Sequence, residues 1–264
     1  MNRLQTRIWH EAPEPGDPFA VRVARCHGYD VFGDMLGRCR WVELLFLLLR
    51  GEAPSREQAA LLEDLAVALA NPGPRDPAVH AAMASATGGA TAAAALMAAL
   101  AVGAGRQGGA RDVFEAVTGW GQCGFDLPAW QAWARATGEQ ALSIWPVAEH
   151  PAGFDGQAVQ TSGIVLKTLA GLCVHVPAER LRWLSAHRVA LEAAAGRPLA
   201  MTGVAAAALA DLGFDAEQGE MLHLLLRLPG AAAHALEQRA LGYKRFPFPA
   251  VQLDDDPARA VVAS

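Results

Sequence analysis

Residues 103–116, "GAGRQGGARDVFEA", set a glycine-rich turn ahead of what reads as a helix. Such a turn cradles an anion when its free N–H groups and the helix dipole point outward together; it is equally a tight turn with no ligand. Gln107 stands at its tip with no role that the turn alone explains. Just upstream, residues 84–105 carry no charge but are mostly Ala and Gly, too weakly apolar for a membrane span. The expectation there is a buried helix whose small residues admit a close neighbour.

Working outward, helical signals recur along the chain. "PSREQAALLEDLAVALA" offers Ser55 as N-cap and Gln58 to close a capping box, with Leu61, Leu62, Leu65 and Leu69 on one stripe. "WVELLFLLLRG" before it is apolar nearly all round and stops at Gly51. A further helix is expected near Pro128 to Thr137, and "WPVAEHPAGFDGQA" is too rich in Pro and Gly for regular structure. "PAERLRWLSAHRVALEAAAGRP" is a helix stopped by Gly196 and Pro198, and Asp215 with Gln218 caps the next long one. "DDDPARAVVAS" reads as a frayed tail. Strand alternation is weak and only two Tyr occur, so the class is all-α. The breaks divide the chain into a large helical domain, 1–120 with 199–264, and a smaller inserted helical domain, 121–198.

A chain of 264 residues with 52% hydrophobic and 19% charged residues packs a sizeable core. A formal charge of −5 with scattered arginines argues against nucleic acid as a partner. Cys26, Cys39, Cys123 and Cys173 show no metal-ligand spacing, so free thiols in a reducing compartment are expected and no metal site is assigned. The N-terminus has no apolar signal region, which makes the cytoplasm the expected compartment and leaves no membrane partner.

Several stretches together resemble the citrate synthase family, particularly its shorter citryl-CoA lyase-like members. "HGYDVFGDMLGRCRWVELLFLLLRGEAP" is similar to the start of the family's large domain, and "GAGRQGGARDVFEA" to its "G..HGGA.e". "WPVAEHP" is similar to "PGFGHP", "GRPLAMTGVAAAALADLGF" to "gRPLNvDG..Aa.L.dlGf", and "LLLRLPGAAAHALEQ" to "..aRvPGl.AHalE". The matches fall in order and cover most of residues 21–249. The resemblance implies a citrate synthase-like helical dimer whose large and small domains close over acyl-CoA and an oxo-acid. It also implies acid–base chemistry in which an Asp takes a proton from the acetyl methyl, one His bonds the thioester oxygen, and a second His serves the other carbonyl. No covalently bound cofactor is implied; a coenzyme A thioester would be the substrate.

The departures carry the functional question. Gln107 stands where the resemblance implies the first His; its amide still donates a neutral hydrogen bond to an enolate oxygen. Thr202 stands where the base Asp is implied, and a hydroxyl has no useful basicity near neutral pH. His150 matches the second His. Glu149 replaces a loop glycine near CoA, where a carboxylate would repel phosphates, and Gln157 replaces a carboxylate-binding Arg. Arg227 matches another such Arg. Among Tyr243, Lys244 and Arg245, where the family brings a basic residue to the partner's site, Arg245 is the candidate.

Plainer roles stand beside these. His150 in a Pro-rich loop also reads as a surface or capping residue, Arg227 as a cation at a helix end, and Tyr243 to Arg245 as a solvated basic tail. His27, His80, His175, His187 and His223 read as structural, and His234 as a packed, hydrogen-bonded residue. Two expectations follow: an acyl-CoA C–C lyase or acyltransferase with altered chemistry, or a pseudoenzyme that binds a small carboxylate or CoA. The latter would act as a homodimer or as the regulatory half of a heterodimer with an active paralogue.

Overall fold

The structure, a computed structural model, describes residues 5–136 and 150–251. Glu149, Thr137 and the C-terminal "DDDPARAVVAS" lie outside the described residues. An antiparallel hairpin comes first: β1 (Trp9–Glu14) pairs with β2 (Asp17–Cys26), and a short β3 (Tyr29–Asp30) completes a three-stranded sheet. The class is all-α, as expected, with this sheet added. Gly16 turns the first hairpin at φ 82°, and His27 and Gly28, both at positive φ, turn the second, as tight hairpin turns require.

Helices build the rest: α1 (Trp41–Arg50), α2 (Arg56–Leu69), α3 (Pro77–Thr87), α4 (Ala92–Gly103), α5 (Ala110–Cys123), α6 (Leu127–Arg135), α7 (Gly163–Leu172), α8 (Glu179–Ala195), α9 (Met201–Asp211) and α10 (Ala216–Leu241). Ser55 and Gln58 close the expected capping box on α2, and Asp215 and Gln218 do so on α10. Gly51 and Gly196 end α1 and α8 in the left-handed conformation.

The main core centres on α9. Val204 to Leu209 are fully buried, because α2, α5, α7, α8 and α10 all pack against this one helix. Around it Leu61, Leu62, Leu65 and Leu69 of α2 face inward as the stripe predicts. A second core joins α3, α4 and α10 through Ala82, Ala86, Ala95, Ala99, Ala231 and Ala235. The uncharged stretch 84–105 is therefore not one helix: it holds the end of α3, a turn over 88–91 and α4, and the small residues of both helices pack closely against α10. Among the described residues no helix is long and apolar enough to cross a membrane. All four cysteines are free thiols.

Candidate active site

Three glycine contacts shape one cavity of about 390 Å³. Gly108 takes φ 66°, and a Cβ on Gly109 would strike the carbonyl oxygens of Gly103 and Gly105. The turn before α5 therefore needs both glycines, and it holds Gln107 at the cavity edge. Gly203, in the first turn of α9, packs against Gly153 so closely that a Cβ there would meet the Gly153 carbonyl. That contact, the Phe154–Leu199 bridge and the bond from Asp155 N–H to Pro198 O (2.8 Å) lock the 150–158 loop onto the start of α9. On the opposite wall Gly230 lets α10 approach the end of α2: its N–H donates to Ala70 O at 2.7 Å. Pro229, which cannot donate, precedes it inside the helix.

Five of the sequence candidates line this cavity: Gln107, His150, Gln157, Thr202 and Arg227. Arg245 does not. It is exposed on the short turn after α10.

His150 is buried. Its Nδ1 lies 3.0 Å from Pro151 O and its Nε2 lies 2.8 Å from the Gln107 side-chain amide. The carbonyl can only accept, so Nδ1 carries a proton. A singly protonated ring then accepts from the Gln107 NH2, and a doubly protonated ring donates to the Gln107 carbonyl. A half-turn of the amide serves either state. Whichever end the ring does not hold is left for a ligand.

Behind Thr202 stands a carboxyl that the sequence reading passed over. Asp112, in the first turn of α5, is 2% exposed and accepts from the Gly153 N–H at 3.1 Å. Burial pushes its pKa up to about 6, against the pull of the Thr202 hydroxyl, the Gly153 N–H and the neighbouring His150. Glu115 adds a small upward push. The Thr202 hydroxyl favours the charged form of this carboxyl. Asp112 Oδ2 and Thr202 Oγ are both buried, and neither has a hydrogen-bond partner of ordinary geometry among the described residues.

The α10 wall is arranged differently. Arg227 Nη2 pairs with Asp76 Oδ2, and Nη1 donates to His223 Nε2 at 3.1 Å. Asp76 is held in turn by capping α3, its Oδ1 accepting from Ala78 and Val79 N–H. His223 is 1% exposed, and burial together with Arg227 pushes its pKa down to about 3, so the ring is neutral. Asp76 and His223 both line the cavity. Among the described residues no cluster of His, Cys, Asp and Glu could hold a metal ion.

No protein-family model matches the chain, and no curated protein matches it in sequence. Solved structures do. The chain has the fold of the citryl-CoA lyase from Hydrogenobacter thermophilus, with a TM-score of 0.69 at 16% identity over 98% of this chain and 100% of that one. It also superposes on the ATP citrate lyase from Methanothrix soehngenii in complex with citrate and coenzyme A (TM-score 0.71, 16% identity, 97% of this chain and 42% of that one). A variant of the Methanosaeta concilii ATP citrate lyase in complex with (3S)-citryl-CoA matches at TM-score 0.69 and 16% identity, over 98% of this chain and 43% of that one. The chain thus has a citrate synthase-like helical fold and spans less than half of the ATP citrate lyases. At this identity the likeness concerns the fold, and activity must be argued from the site.

Proposed function

We propose that this protein makes or breaks a carbon–carbon bond next to an acyl-CoA thioester, with Asp112 receiving the proton by way of Thr202. The observation that carries this reading is a pair of buried, unpartnered atoms, Asp112 Oδ2 and Thr202 Oγ, with Thr202 lining the cavity that also holds His150 and Gln107 and Asp112 enclosed beside it. In the enolising step the acyl carbon's proton passes to Thr202 Oγ while the Thr202 proton passes to Asp112 Oδ2. The C–H electron pair becomes the enolate double bond, and the Gln107 amide donates to the oxygen that gains charge. His150 serves the carbonyl of the second substrate, and Arg227 lies where a carboxylate would bind. A dimer, with itself or with a paralogue, would bring Arg245 toward the neighbouring site.

Incubation with acetyl-CoA in D2O tests this. Deuterium should enter the methyl group, with a rate that rises with pH through about 6. Asp112→Asn should remove that pH dependence and most of the exchange. Thr202→Val should do the same, and Thr202→Ser should restore it. A purely structural role for Asp112 would leave the pH profile of the remaining activity unmoved. A second reading, a protein that binds without catalysing, is favoured by one contact, since Asp76 already occupies Arg227. Calorimetric binding of CoA with no exchange from any acyl-CoA would select it.

A further inference from the structure

We propose that the second substrate of this cavity is an oxo compound bearing at most one carboxylate, and that oxaloacetate, citrate and similar polyanions are rejected. The inference rests on the acyl-CoA reading for the substrate's carbonyl, but its argument is one of charge. Arg227 is the cavity's one Arg or Lys among the described residues, and Asp76 already neutralises it. Asp76 cannot swing aside, because its other oxygen caps α3. Asp155 adds a further negative charge to the wall, with Oδ1 fixed by the Gln157 and Ala158 N–H groups at 2.8 and 2.9 Å.

Gln157 is neutral and His223 is uncharged, which leaves His150 as the one other lining group able to carry positive charge. A first carboxylate can share His150 or the edge of Arg227. A second would lie against Asp76 and Asp155 with no cation left among the described lining residues, and an unpaired buried charge is what sites use to refuse a ligand.

Isothermal titration calorimetry with pyruvate, oxaloacetate and citrate, with one, two and three carboxylates, tests the proposal. Pyruvate should bind at least about tenfold more tightly than either polyanion. Gln157→Arg, at an exposed loop position, should raise oxaloacetate affinity about tenfold and should raise it more than it raises pyruvate affinity. Asp76→Asn keeps a side-chain cap for α3 and should strengthen binding of all three by freeing Arg227. Oxaloacetate or citrate binding the wild-type protein as tightly as pyruvate overturns the inference. So does a failure of pyruvate to bind together with no gain of oxaloacetate in Gln157→Arg. The affinity order found without methyl exchange removes the acyl-CoA reading alone; exchange with the order reversed removes the charge inference alone.

Discussion

On the α5–α9 side of the cavity, Asp112 and Thr202 are buried with polar atoms to spare. On the α3–α10 side, Asp76 and Arg227 are half-buried and paired with one another, and the neutral His223 keeps a buried Nδ1 without a partner. Both walls rest on a glycine pressed against another segment's backbone, Gly203 on Gly153 and Gly230 on Ala70, so steric construction does not distinguish them. Their hydrogen-bond accounts do. A wall with an unmet carboxyl and hydroxyl is one a substrate can complete, and a wall whose charges are already paired mainly sets what charge is tolerated.

The largest effect that would break this picture is steric. Gly203→Ala forces a Cβ onto the Gly153 carbonyl, backbone against backbone, and should cost at least about 3 kcal/mol in urea denaturation or prevent folding. A variant of wild-type stability would show that the loop is not locked to α9 as described.

Next comes pH, where the walls should pull in opposite directions. The pKa of Asp112 is raised from 3.8 to about 6, so its contribution to stability is full below about pH 4 and is lost as pH climbs through 6. The pKa of His223 is lowered from 6.5 to about 3, so its contribution is full above 6.5 and is lost as pH falls toward 3. Between about pH 4 and 6 the two slopes, each about 1.4 kcal/mol per pH unit, cancel. Asp112→Asn should therefore gain stability, relative to wild type, as pH rises across that window, by about 3 kcal/mol in all. His223→Gln should lose a similar amount. Denaturation curves of the two variants that shift the same way with pH would sink the contrast.

The smallest effect sharpens the wall whose charges are paired. Arg227→Met leaves Asp76 largely buried without its cation and should cost about 2 kcal/mol, recovered in the double variant with Asp76→Asn. Additive losses would mean that the pair contributes nothing as a pair.

How far the sequence foretold these walls depends on whether the signal was local. Ser55 with Gln58, Asp215 with Gln218, and Gly51 obey rules written within a few residues, and they are legible. The hairpin was not read, although Gly16 and the alternation in β2 were available, because its strands are largely exposed and bury little of the apolar face that alternation marks. Gln107, Thr202, His150, Gln157 and Arg227 were found only through resemblance to a family pattern, and their meeting in one cavity depends on contacts across most of the chain. Asp112 looked like an ordinary acidic residue in the first turn of an amphipathic helix, as does Glu57 on α2. What separates them is that the 150–158 loop lies over one and solvent over the other. His223 reads as structural because it matches no functional position of the family pattern, yet it also faces the cavity beside Arg227.

Gln157 shows where this molecule is free to change. Asp112 and Thr202 are enclosed, so replacing either disturbs packing and proton balance together, and a lineage could alter them only with compensating substitutions nearby. Gln157 sits exposed on the arch above them, held by its backbone N–H rather than its side chain. Selection can therefore retune the charge of the ligand through that one surface codon at little cost to the fold. The chemistry and the choice of substrate are mutationally separable in this scaffold, and preference for a different acid should arise here before the reaction itself changes.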